Sequence, residues 1–409
     1  MNTKHSEGTF GEVFRAALKL GLTSFGGPTA HIGYFREEYV IRRRWLNDQS
    51  FADLTALCQF LPGPASSQLG MAIGIGRAGL WGALAAWLGF SLPSALIMLL
   101  FALTATSMDL SHAGWLQGLK LAAVAVVALA VWSMCRTLAP DRPRATMAVG
   151  SAAAALLIPG AIGQLLPLVG CGLIGYLIFG SSKSAEAGST TAAAQGSGAG
   201  FNRLISKKAS WLSLIVFALL LVCLPIAAQL SASTAISLAD SSYRAGSLVF
   251  GGGHVILPML ENELVGSGPG KLSAETFTAG YGAAQAVPGP LFTFAAYLGG
   301  AMSGGWQGAM YGLIALAAIF LPSLLLLIGA LPYWQSIRGN RSAQAALMGV
   351  NAAVVGILLA ALYDPIWQDA VQSAHHFVIV ILVFLILHVW KRQPWEAVLF
   401  SAIAGWLVL

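Results

Sequence analysis
The stretch FLPGPASSQLG at 60–70 sets Pro62, Gly63 and Pro64 in the middle of a long apolar run. Pro62 disfavours the α conformation at Leu61 and ends one helix. Gly63 permits the turn, and Pro64 suits the first position of a new helix, where no amide hydrogen is required. A helix that begins inside lipid presents unpaired N–H groups and the positive end of its dipole, about half an elementary charge. Together these make an anion site. Neutral side-chain donors flank the break, with Gln59 before it and Ser66, Ser67 and Gln68 after it. SFGGP at 24–28 allows the same geometry through Gly26, Gly27 and Pro28. The chemistry is binding of an anion by backbone amides and neutral donors. For a lone break, a packing kink is the simpler reading.

The break is not alone. FGGPTAHIGYFREEYV from Phe25 aligns with FGGGHVILPMLENELV from Phe250, pairing Gly26 with Gly251, Gly27 with Gly252 and Glu38 with Glu263. One residue is then added. Gln59 meets Gln285, and the first Pro-Gly-Pro meets Pro288, Gly289 and Pro290, with Thr293 as a donor beyond it. LPS at 92–94 matches LPS at 321–323, and GLKLAAVAV at 118–126 resembles GVNAAVVGI at 349–357. Matched Gly-Gly, Gln and Pro-Gly-Pro in one order mark an internal duplication, the usual build of secondary transporters. It supplies four helix starts, at Pro28, Pro64, Gly253 and Pro290.

The elements that position these starts follow from composition. The chain is 57% hydrophobic and 9% charged, with a mean hydropathy of +0.74, whereas soluble domains carry about 25% charged residues. The expected class is an all-α polytopic membrane protein. The apolar runs are longer and more continuous than the alternating segments of a β-barrel. The expected organisation is a first transmembrane repeat at 1–180, a flexible linker at 181–208, a connecting helix at 209–230 and a second repeat at 240–409. Segments 12–40, 50–76, 243–265 and 275–303 are expected to be re-entrant, broken hairpins. Full spans are expected at 79–107, 114–138, 144–158, 160–180, 211–229, 306–331, 342–363, 373–390 and 395–409. Runs 144–158 and 395–409 are short against the roughly 20 residues that a span needs.

Matched loops differ in charge. Arg36 and Arg42–Arg44 stand against Lys271 alone, the Asp109 loop stands against Arg338 and Arg341, and Arg136, Arg142 and Arg144 stand against Asp364 and Asp369. By the positive-inside rule the two halves are inverted, with the N-terminus cytoplasmic and the C-terminus outside. The +6 formal charge is then a membrane-orientation signal and does not point to nucleic acid. Cys58, Cys135, Cys171 and Cys223 show no metal-ligand or disulfide spacing, and no cofactor motif appears. The N-terminus lacks the apolar core and cleavage site of a signal peptide.

Few ionisable residues fall inside apolar segments, and such residues are functional candidates. Lys120, opposite Asn351 in the other repeat, is either a fixed charge for the anion or a snorkelling side chain. His31 and His254, beside the Gly-rich breaks, are candidates for carrying a coupling proton or for one structural hydrogen bond. Glu38 and Glu263 are candidates for gating or for pairing with loop arginines.

The Gly-Gly-Pro with its following His, the Trp-Leu loop, QFLPGP, GLWGALAAWLGFSLPS and the second-half FGGGH…LP resemble the chromate transporter family in its long, two-halved form. The resemblance implies an inner-membrane carrier for chromate, a tetrahedral dianion, acting as a proton-motive-force-driven efflux system that confers chromate resistance. Sulfate, of nearly the same shape, is the analogue and an alternative cargo, by uptake or exchange. A membrane-embedded reductase is the alternative of another class. The bilayer is the implied partner, and a homodimer stays open. Gly253 stands where the first half has Pro28, and Asn351 where it has Lys120, so the site is only pseudo-symmetric.

Overall fold
A computed structural model describes residues 8–107, 114–158, 160–180, 205–250, 252–266 and 270–408. Gly251, the loop around Asp109, residues 181–204 of the expected linker and residues 267–269 lie outside that description.

The first half runs α1 (Phe10–Thr23), α2 (Gly27–Phe35), α3 (Asp48–Phe60), α4 (Ala65–Ser107), α5 (Gly114–Leu138), α6 (Arg142–Leu157) and α7 (Ala161–Phe179). The connecting helix is α8 (Lys207–Leu230). The second half runs α9 (Thr234–Leu248), α10 (Ile256–Leu264), α11 (Ala274–Ala286), α12 (Phe294–Ala301), α13 (Gly305–Ala330), α14 (Trp334–Arg338), α15 (Arg341–Ala361), α16 (Gln368–Ala370), α17 (Ala374–His388) and α18 (Pro394–Val408). Helices α9–α13 repeat α1–α4, α15 repeats α5, and α17 and α18 repeat α6 and α7. Among the described residues six helices are long and apolar enough to cross a membrane, so this is a multi-pass, all-helical membrane protein.

Local chemistry explains the element ends. Thr9 caps α1 by accepting the Glu12 amide at 3.2 Å, and Asn47 caps α3 by accepting that of Ser50 at 2.8 Å. In α1, Val13, Ala16, Ala17, Leu20 and Gly21 are buried, the spacing of one helical face, and that face packs on α4. α4 runs on from the first Pro-Gly-Pro but is broken at Gly79 (φ +61, ψ −154). Gly305 (φ +59) breaks the second half between α12 and α13 at the matching point. The helix that leaves each Pro-Gly-Pro turn and the helix that follows it are therefore separate rods in both halves.

α9 begins at Thr234, ahead of residue 240, and α8 begins inside the stretch read as linker. Ser233, Asp240, Ser241 and Ser242 make the start of α9 look like a loop. Asp240 is buried because Arg244, one turn on, donates to both its oxygens at 2.7 and 3.0 Å.

The halves exchange helices. α5 packs on α11, α17 and α18, while α15 packs on α6 and α7. Small residues make both seams, and a Cβ at Gly118 or at Gly349 would collide with the Ser401 or the Cys171 carbonyl across the contact. Lipid tails leave little hydrophobic drive between helices, so backbone approach at small residues supplies the packing. One pair of equivalents differs. α11 is wedged against α5 and α18, whereas α3 packs on α4 and on the turn that precedes α3.

Candidate functional site
The two Pro-Gly-Pro turns take the expected shape. Leu61 is extended (φ −77, ψ 145), Gly63 lies at φ +117, and the Gln68 side-chain amide donates to the Pro62 carbonyl at 2.8 Å. In the second half Val287 is extended and Gly289 lies at φ +101. Pro290 is the extended N-cap residue, and Pro64 likewise precedes Ala65, the first residue of α4, so each sits one position before the helix that sequence reasoning had it open.

The freed backbone of each turn has a partner in the other half. Gly63 N–H donates to the Val249 carbonyl at 2.7 Å, and Gly289 N–H donates to the Ser24 carbonyl at 2.8 Å. Ser24 and Val249 are repeat equivalents, each just before a Gly-rich break. The serines of the matched LPS motifs complete the interlock. A Cβ at Gly63 would strike Ser323 Oγ, and one at Gly289 would lie 2.9 Å from Ser94 Oγ. The two turn glycines are thus committed to joining the halves. The first-turn amides of α2, α4 and the second-half helices remain without helical acceptors.

Those helix starts surround a cavity of about 190 Å³. Gly26, Gly27, Pro28 and His31 line it from the first Gly-rich break and α2, and Pro64 and Ser66 from the start of α4. Gly253, His254, Gln285, Gly289 and Pro290 line it from the second half. Its polar groups include buried nitrogens without a partner. His31 is 2% exposed; its Nδ1 sits 3.2 Å from Ser66 Oγ, and its Nε2 has no partner. The ring packs edge-on against Phe90 at 5.4 Å. Gln285 Nε2 is also buried and unpartnered. A buried polar group left without a partner costs about 1–3 kcal/mol, so two at one cavity mark a place built for a polar guest. His254 Nδ1 is 2.5 Å from the Tyr281 hydroxyl. Among the described residues no Lys or Arg lines the cavity.

Chain comparison then speaks to what kind of protein this is. The chromate transporter profile matches residues 11–176 and again 236–406. This chain belongs to the chromate transporter family. A chromate transport protein of Pseudomonas aeruginosa is 28% identical, with 98% of this chain and 92% of that protein covered. A chromate transport protein of Cupriavidus metallidurans is 25% identical, with 84% and 79% covered. An uncharacterised transporter of Methanocaldococcus jannaschii is 26% identical, with 97% and 94% covered. No solved structure matches. The relatives carrying a functional name are transport proteins, so the family is one of transporters rather than enzymes.

In this family member the other described candidate residues fall outside the cavity lining. Gln59, the repeat partner of Gln285, is exposed, because α3 lacks the packing that turns α11 inward. Pro62, Gly63, Pro288 and Gly252 shape the turns from behind. Ser67 is buried without a partner, and Thr293 Oγ1 donates back to the Pro290 carbonyl at 2.9 Å. Lys120 is buried, but its Nζ lies 3.2 Å from Glu275 of the other half. Asn351, half-buried on α15, does not line the cavity either.

Glu38 and Glu263 sit in matched ion pairs. Lys19 meets Glu38 at 2.7 Å and Arg244 meets Glu263 at 2.8 Å, and Lys19 and Arg244 are themselves repeat equivalents. Arg43 adds a second contact to Glu38 at 2.8 Å. Burial alone would raise the Glu38 carboxyl, but Lys19 and Arg43 outweigh it and hold it below the usual carboxylate range. Sequence reasoning missed the Lys19–Arg244 match, which the alignment from Phe25 and Phe250 extended backwards would have found. It also missed Val126, Leu129, Ala130 and Ser133 of α5, and Leu387 and Pro394 of the second half, which close the cavity. These are ordinary apolar-helix residues with no local signal.

Proposed function
We propose that the chain is a secondary carrier that moves chromate through the cavity between its halves. The hairpins are re-entrant and the halves inverted in an inner membrane, with the N-terminus cytoplasmic. The direction is efflux, driven by the proton-motive force. The observation that carries this reading is the convergence of four helix starts on one cavity that holds two buried, unpartnered nitrogens, His31 Nε2 and Gln285 Nε2. Each start offers about half a positive charge, so four offer on the order of +2, matched to a dianion, and fixed dipoles let the ion leave more readily than a lysine or arginine would. The carbonyls pinned by Gly63 and Gly289 tie the two halves at the depth of the cavity, where a carrier's site must be reachable from either face. His31 and His254 are the groups placed to take a coupling proton beside the anion.

Labelled chromate uptake into everted membrane vesicles tests this, with sulfate as competitor and an uncoupler as control. Chromate accumulation that collapses with the uncoupler is the expected result. Accumulation unaffected by the uncoupler removes proton coupling, and no accumulation in everted vesicles with uptake by right-side-out ones reverses the direction. Full competition by equimolar sulfate makes the cargo a general oxyanion. Appearance of Cr(III) with the purified protein replaces the carrier by a reductase.

A further inference from the structure
Among the described residues no lysine or arginine lines the cavity, yet the proposed cargo is a dianion. The loop between α17 and α18 carries Lys391 and Arg392, followed by Gln393 and Pro394. α17 has 15 residues, about 22 Å at 1.5 Å per residue, short of the roughly 30 Å of hydrocarbon that a full span crosses. A loop that follows so short a helix is drawn towards the membrane interior, and its contacts agree. Pro394 and Leu387, on its two flanks, line the cavity. Gln393 Oε1 lies 3.9 Å from where a Cβ on Gly26 would be. The Trp395 ring packs on Phe25 at 6.3 Å.

The charge on this loop is only partly spent. Arg392 meets Glu396 at 3.8 Å, a long pair whose arginine is exposed. Lys391 makes no ion pair among the described residues and is held at φ +51, a backbone setting uncommon for residues other than glycine. The matching α6–α7 connection, Ile158-Pro159-Gly160, is shorter and carries no charge, so the feature belongs to the second half alone.

We propose that Lys391 and Arg392 form the entrance to the cavity, a cationic collar that captures an oxyanion dianion such as chromate from the aqueous phase and passes it to the neutral donors within. This rests on the carrier reading above and adds the route by which the anion reaches the site. Charges at a low-dielectric mouth raise the local concentration of an oppositely charged substrate and its rate of entry, and salt screens them. They therefore act on capture more than on the translocation step.

The test compares wild type, Lys391→Gln/Arg392→Gln and the charge-keeping Lys391→Arg/Arg392→Lys, all as full-length chains. Initial chromate uptake rates are measured in vesicles at low and high ionic strength. Equilibrium dialysis of chromate against detergent-purified protein supplies a readout that membrane orientation cannot affect. The neutral variant is expected to show a KM and a Kd raised on the order of fivefold at low salt, a maximal rate near that of wild type, and a flattened salt dependence. The charge-keeping variant is expected to follow wild type. Unchanged KM, Kd and salt dependence in the neutral variant would make the pair a membrane-orientation signal only and overturn the proposal while leaving the carrier reading intact. A wild type that neither binds nor transports chromate overturns both.

Discussion

Replacing Gly63 by alanine tests whether the two halves meet at the Pro-Gly-Pro turns. Two independent costs apply. Gly63 lies at φ +117, where an L-residue is strained by about 1–3 kcal/mol. The new methyl also strikes Ser323 Oγ, with Gln68 Nε2 at 3.0 Å and Ser323 Cβ at 3.3 Å behind it, and overpacking of this kind costs about 1–3 kcal/mol. The expected destabilisation is therefore about 2–6 kcal/mol. Only the second cost depends on a residue 260 positions away in the other repeat. Ser323 Oγ is buried without a partner, so Ser323→Ala alone should be neutral or slightly stabilising, because it removes an unsatisfied hydroxyl. In the double variant the strain stays and part of the collision goes, so a coupling of about 1 kcal/mol or more should separate the double variant from the sum of the singles. Unfolding of purified protein in mixed micelles, followed by tryptophan fluorescence, gives the four free energies of the cycle. Additivity to within about 0.5 kcal/mol would mean that the turn of one half does not touch the LPS serine of the other, and the cavity between the halves would lose its geometric basis. The mirror cycle, Gly289→Ala with Ser94→Ala, should show weaker coupling because the approach there is a looser 2.9 Å.

Gln285→Leu removes an unpartnered donor at the cavity and should leave folding stability unchanged or raised. Loss of a hydrogen bond to a charged group, about 1.5–3 kcal/mol, should weaken chromate binding at least tenfold by equilibrium dialysis; unchanged binding would put the anion elsewhere. Lys120→Gln, whose partner is the exposed Glu275, should leave the chromate Kd within about twofold, and a large loss would bring Lys120 into the site. The Glu38 carboxylate, held below its usual range by Lys19 and Arg43, contributes stability that is present above the unfolded-state value of about 4.3 and lost as pH falls through the lower folded-state value. Wild type should therefore lose more stability than Glu38→Gln between pH 5 and pH 3 in detergent unfolding, and parallel pH curves would refute the pairing. Single cysteines near Arg43 and near Glu263, in a variant lacking the four native cysteines, should differ in labelling by an impermeant reagent on intact cells; equal labelling would contradict inverted halves.

Class, duplication and breaks were legible in the chain because each is a local property. Hydropathy sums along a segment, a proline removes a donor wherever it sits, and a glycine at a turn needs no neighbour to explain it. The match of Gln59 with Gln285 was equally legible, yet only Gln285 reaches the cavity. Burial of a side chain depends on which helix packs beside it, and α11 is wedged against α5 and α18 while α3 is not. Lys120 looked like a charge without a partner because Glu275 lies 155 positions further on. The amides of Gly63 and Gly289 looked free because their acceptors, Val249 and Ser24, belong to the opposite repeat. Residue type and spacing settle what a segment can offer to a neighbour. Which offers are taken up, which are left open as a binding site, and which distant loop closes over it are set by non-local contacts, and those exist only once the two halves have packed together.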